Sequence, residues 1–193
     1  MHKVQIADEA PSLTLLVSER DHLQGSPHAP LTLVEYGDYQ CPYSGAVHPV
    51  IQRIQKAFGK ELRFVFRNFP LTQTHPYALI AAEAAEAAAL QGKFWEMHDL
   101  LFEQQTSLEP EVLPLWAKEI GLDVPAFGVA LQQDIVASHI KEDRRSGVHS
   151  GVHDTPTFFI NGTPYDGSLD YLSLLRALRE QRTTLPHEER RLP

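Results

Sequence analysis

The stretch from Leu31 to Phe66 constrains this chain more than any other. Leu31 to Tyr36 (L-T-L-V-E-Y) is β-branched, aromatic and mostly apolar, and short enough for a buried strand. Gly37 and Asp38 end it. From Pro42 onward Val47, Val50, Ile51, Ile54 and Phe58 recur at helical spacing, and Gly59 supplies the stop. Leu62 to Phe66 (L-R-F-V-F) predicts a second strand. Strand, helix and strand within about 36 residues form a βαβ unit, and such a crossover makes its two strands parallel. The chain therefore has to build an α/β sheet around this segment.

Beyond Phe66 the pattern changes. From His75 to about Gly151 the sequence offers no strand. Helices are predicted over Ala78–Leu90, over a stripe of Phe94, Trp95, Met97, His98, Leu101 and Phe102, over Glu111–Ile120, over 124–133, and over Ile135–Ser146. Strands return at Thr157–Ile160 and Thr163–Tyr165 around Asn161-Gly162, a two-residue hairpin signal. Leu169, Leu172, Leu175 and Leu178 mark a last amphipathic helix, ending before Thr183. Leu13–Val17 reads as a short edge strand. The resulting α/β organisation is a core over 13–74 and 150–182, an all-helical insertion over 75–149, and loose termini at 1–12 and 183–193.

Composition narrows the function classes. At 193 residues, with 42% hydrophobic and 22% charged side chains, the chain is one soluble globular domain carrying an insertion. Its formal charge of −8, without any Lys/Arg run, excludes nucleic acid as a partner. No apolar run reaches the ~18 residues of a membrane span. Residues 1–30 carry no apolar signal core, which makes the cytoplasm the expected compartment; a chain trimmed of a leader would be periplasmic or otherwise exported. One cysteine, Cys41, excludes an internal disulfide and a Cys-rich metal site.

Cys41 stands where the first strand's loop enters the first helix. Unpaired backbone N–H groups and the positive dipole end there favour thiolate, and Pro42 suits the first helical turn. The competing reading is a buried, inert cysteine. Thr155-Pro156 opens the hairpin; a cis bond there would free backbone groups for a substrate's extended chain, while the bland reading is a strand-start proline. Glu35 is either a partly buried carboxylate shuttling protons for the thiol or a solvated strand residue. His48 lies two helical turns past Cys41, too far for direct proton transfer. His149 and His153 would pair on a metal only if that stretch were helical, and Gly147 and Gly151 favour a frayed end. Phe94, Trp95 and Phe102 read as core before a peptide-docking groove.

Taken together, V-E-Y-G-D-Y-Q-C-P-Y-S at 34–44, F-V-F-R-N-F-P-L at 64–71, the Ala/Glu-rich helix, K-F-W-E-M-H-D-L-L-F at 93–102 and the hairpin from Asp154 to Gly162 resemble the DsbA-like branch of the thioredoxin-fold thiol–disulfide oxidoreductases. The resemblance spans nearly residues 20–180 and implies a thioredoxin-like core. It implies a nucleophilic Cys41, tuned by the Pro42-Tyr43 dipeptide, beside a cis-proline loop at Thr155-Pro156. One departure stands out. Ser44 occupies the position of the family's second, resolving cysteine, so the chain is a trapping or monothiol form, with Ser44 expected to hydrogen-bond the Cys41 sulfur. The implied activity is disulfide exchange on protein, peptide or small-molecule disulfides together with a redox partner. No metal or organic cofactor is implied, although glutathione would serve as a co-substrate. The alternatives are a redox-inactive peptide-binding or chaperone-like module and a glutathione-dependent transferase or isomerase.

Overall fold

A computed structural model describes residues 12–184 (the backbone alone for the last two) and builds them around a five-stranded mixed sheet. The elements are β1 (His22–Gly25), β2 (Leu31–Gly37), α1 (Pro42–Phe58), β3 (Leu62–Asn68), α2 (Ala78–Ala89), α3 (Phe94–Glu103), α4 (Leu113–Glu119), α5 (Val124–Ala130), α6 (Asp134–His149), β4 (Thr157–Ile160), β5 (Thr163–Tyr165) and α7 (Tyr171–Thr184). Strand order is β1-β3-β2-β4-β5. β2 and β3 run parallel, with Leu31 opposite Leu62 and Gly37 opposite Asn68, as the βαβ reading requires. β4 joins the other side of β2 antiparallel, and the loose termini expected at 1–12 and 183–193 fall almost wholly outside the described residues.

Every residue of β2 is buried, because helices cover both faces of the sheet. On one face Leu31 and Leu33 meet Val47, Ile51 and Ile54 of α1, together with Phe94, Met97 and Leu101 of α3. On the other, Val34 and Tyr36 pack with Phe69, Val152 and Phe159. α6 closes this second face: Tyr36 Oη lies 2.8 Å from Ser146 Oγ, and a Cβ at Gly147 would strike the Phe69 and Tyr36 rings. Each large aliphatic side chain so buried contributes about 1.5–3 kcal/mol. The helices α2–α6 fall between β3 and β4, giving a thioredoxin-like fold with a helical insertion.

Two expectations are corrected. Leu13–Val17 is not a strand; the first strand is His22–Gly25. The Leu15 and Leu16 carbonyls accept hydrogen bonds from the Arg67 guanidinium (2.9 and 3.4 Å) and Thr14 bonds Ser150, so side chains claim the groups a ladder would use. Arg67 is fully buried, and Asp21 (2.8 and 3.2 Å) and Tyr36 Oη (2.9 Å) complete its partners. The last helix runs on to Thr184 instead of ending before Thr183. As Gly147 and Gly151 suggested, α6 stops at His149 and Gly151 takes φ +82°, so His149 and His153 share no helix.

Candidate active site

The loop from Asp38 to Cys41 is held by its own side chains. Asp38, buried, accepts the Gln40 N–H at Oδ1 (2.8 Å), and its Oδ2 accepts the Leu71 N–H (2.9 Å) and faces His75 Nδ1 (2.8 Å). The Asp38 carbonyl accepts the Cys41 N–H at 3.1 Å. These bonds fix Cys41 as the N-cap of α1, with extended φ/ψ of −72° and 120° and Pro42 as the first helical residue. Its sulfur therefore sits at the end of a 17-residue helix where backbone N–H groups lack intrahelical partners.

From the opposite side comes the turn before β4. The Thr155–Pro156 bond is cis, and the Cys41 thiol donates to the Thr155 carbonyl at 3.1 Å. Thr155 Oγ1 is buried without a hydrogen-bond partner. Cys41 itself is only 3% exposed, whereas Tyr43, two residues on, is 73% exposed and Pro42 is also at the surface. Ser44 departs from expectation. It is fully buried, and its Oγ accepts the Asp38 N–H at 3.4 Å; the sulfur's hydrogen bond goes to Thr155 instead.

Glu35 lies deeper than the partly buried position expected of it, at 2% exposure. It shares the sheet face of Leu33 with α1, and its Oε1 has no hydrogen-bond partner. Burial alone pushes its carboxyl up to about 8. The aromatic stripe of α3 is core, as its periodicity suggests. His98 in its midst is fully enclosed, accepts or donates at Tyr39 Oη (3.0 Å), and is held well below the usual imidazole range, chiefly by burial. His48 stacks on Phe102, and its Nε2 faces Asp99 (3.4 Å) and Gln52 (3.1 Å).

Two contributors escape any sequence pattern. Asp38 organises the loop through backbone groups that no spacing rule reveals. Gln105, just past α3, donates through Nε2 to the carbonyls of both Tyr39 and Cys41, at 2.8 Å each. A Cβ at Gly45 would collide with the Gln105 amide, so the glycine makes room for this bond pair. A D-x-x-C spacing and a glycine one turn after the cysteine were the faint signals available.

With this geometry established, a family model described as Thioredoxin matches residues 17–180. The chain belongs to the thioredoxin family. Among solved structures, this thioredoxin-family chain is similar to a thioredoxin-like oxidoreductase from Silicibacter pomeroyi DSS-3, at 26% identity and TM-score 0.78 over 87% of this chain and 95% of that one. BdbD from Bacillus subtilis shares the fold at 24% identity and TM-score 0.77, over 85% and 94%. So does the thiol-disulfide exchange protein α-DsbA2 from Wolbachia pipientis, at 22% identity and TM-score 0.74, over 86% and 87%. The fold is thus that of the DsbA-type thiol–disulfide oxidoreductases.

Curated relatives have a different name. The chain is 45% identical over 160 residues to Na(+)/H(+) antiporter NhaA 1 of Salinispora arenicola (strain CNS-205), covering 83% of this chain and 24% of that protein. It is 43% identical over 166 residues to the same-named protein of Mycobacterium sp. (strain KMS), covering 85% and 27%. The chain spans about a quarter of the length of these relatives. No helix among the described residues is long and apolar enough to cross a membrane.

Proposed function

We propose that this chain performs thiol–disulfide exchange through Cys41 alone. The observation that carries the reading is the sulfur's place: at the N-terminus of α1 and 3.1 Å from the carbonyl of the Thr155–Pro156 turn. The Cys41 thiolate attacks one sulfur of a substrate disulfide. That S–S bond breaks, the expelled thiolate takes a proton, and the other half remains joined to Cys41 as a mixed disulfide. Thr155 and Pro156 lie along the substrate chain, and Pro42 and exposed Tyr43 form the opposite lip. In this reading Glu35 is the proton relay: with a carboxyl near 8, its ionised fraction accepts the thiol proton and returns it.

Ser44 offers no second sulfur, so release depends on external thiols. A thiol of the glutathione class attacks the Cys41 sulfur and frees the substrate as a thiol; a second one then restores Cys41 and leaves as the disulfide. Per cycle one substrate disulfide becomes two thiols and two external thiols become one disulfide. A transferase role for Ser44 finds no support, since its hydroxyl is sealed from solvent and engaged by Asp38.

The test is a non-reducing gel of the chain with a disulfide-bearing peptide. An adduct should accumulate, vanish with added thiol, and be absent for Cys41→Ala. Ser44→Cys places a sulfur one helical turn on and should discharge the adduct and give multiple turnover. If the intact chain forms no adduct, or if Ser44→Cys closes its internal disulfide without gaining turnover, the reading fails.

A further inference from the structure

On the far side of the sheet from the hairpin, three elements bring metal-ligating atoms to one point. His22 opens β1, Glu86 lies on α2, and His139 lies on α6. His22 Nε2 is 3.0 and 2.9 Å from the two Glu86 carboxylate oxygens, and His139 Nδ1 is 2.8 Å from Oε2. One ligand atom from each lies within 4.8 Å of the others.

The surroundings orient these atoms. His139 Nε2 donates to the Arg20 carbonyl at 3.0 Å, which fixes a proton on Nε2. Nδ1 is then turned toward Glu86 and buried, 2.8 Å from Oε2, so that a cation entering there takes the place of the proton the two groups share. Asn68 Nδ2 donates to Glu86 Oε1 at 2.7 Å, and the His22 ring stacks on Phe94 with centroids 3.5 Å apart. Outer partners that lock ring orientation and carboxylate position are what imidazole–carboxylate metal sites require. The nearby cation, Arg20, is neutralised by Asp143 (2.6 Å), Glu142 (3.2 Å) and Asp21 (3.4 Å).

We propose that His22, Glu86 and His139 form a site for a divalent transition-metal ion of the zinc class. Two imidazole nitrogens and one carboxylate are a borderline-soft set that suits zinc over calcium or magnesium, which prefer all-oxygen shells. Tetrahedral coordination at zinc bond lengths separates ligand atoms by about 3.3 Å, so histidine nitrogens already 2.8–3.0 Å from Glu86 and within 4.8 Å of each other need only small shifts. A fourth position opens to a cavity of about 190 Å³ lined by Arg20, Leu90, Ile135 and the ligands themselves. The ion ties the edge strand β1 to helices α2 and α6 and so holds the helical insertion against the sheet.

The experiment uses chelator-stripped chain carrying Cys41→Ala, which removes the thiol as a competing ligand. Zinc chloride should raise the melting temperature by about 5–10 °C at saturating excess, and magnesium chloride should not. Cobalt(II) should bind one per chain with the intense visible bands of tetrahedral coordination. His22→Gln and His139→Gln should each weaken binding at least tenfold, while His48→Gln, in the separate His48–His98–Asp99 group, should leave it intact. Absence of the cobalt bands, or an equal zinc shift in the His22 and His139 variants, would overturn the site. The cobalt titration of the unaltered triad decides the matter even if the variants fail to fold.

Discussion

Glu35 in β2 and Glu86 in α2 are both buried carboxylates, at 2% and 5% exposure, yet their surroundings treat them in opposite ways. Glu35 faces apolar side chains, its Oε1 has no partner, and burial lifts its carboxyl to about 8. Glu86 suffers the same burial, but the hydrogen bonds and charge of His139 and His22 outweigh it and hold the carboxyl below the usual range. Depth alone therefore does not set a buried acid's charge; the donors provided for it do. The provided-for acid reads as architecture and the neglected one as chemistry.

The most forceful way to sharpen this contrast is to remove Glu86. Glu86→Ala strips the acceptor from His22, His139 and Asn68, and breaking such a buried group should cost about 3–5 kcal/mol, read by urea unfolding in chelator. The reverse is expected at Glu35. Its folded-state pKa lies above the unfolded value, so the folded state holds the proton longer. Glu35's contribution to stability is greatest below about pH 4.5 and falls by a few kcal/mol as pH rises toward 8. Glu35→Gln should abolish that slope and be the more stable chain at pH 8, with little difference at pH 4.5. A wild-type curve flat across this window would break the comparison. The smallest effect concerns rate: Glu35→Gln should slow adduct formation at Cys41 by up to about tenfold near pH 8, where Glu35 is half ionised and can accept the thiol proton, and by less near pH 6. Unchanged adduct kinetics would leave Glu35 an energetic cost without a chemical return.

How much of this was legible in the sequence depended on the range of the interactions. α1 was readable to the residue, because Pro42, the apolar spacing and Gly59 (φ +52°) are all local signals. The Asn161-Gly162 turn, with φ of +49° and +83°, was equally local. Leu13–Val17 misled because its partner is the side chain of Arg67, some fifty residues on, which no periodicity anticipates. At the candidate site, nothing in the spacing brings Cys41 and Thr155 together across 114 residues; only the family resemblance suggested it. Asp38 and Gln105 stayed invisible because the groups they hold lie far along the chain, Leu71 for Asp38 and Tyr39 and Cys41 for Gln105, and no local spacing records such pairings. The triad of His22, Glu86 and His139 is scattered over three elements for the same reason.

Gln105 has a consequence for how the molecule can be taken apart. It grips the Tyr39 and Cys41 carbonyls from a segment that belongs to the helical layer, not to the sheet. The layer is thus a brace across the reactive loop, and any tilt of α3 becomes a pull on the backbone that carries the sulfur. Transplanting the Cys41–Ser44 tetrapeptide onto a bare sheet-and-helix scaffold would carry the letters across and leave the tension behind.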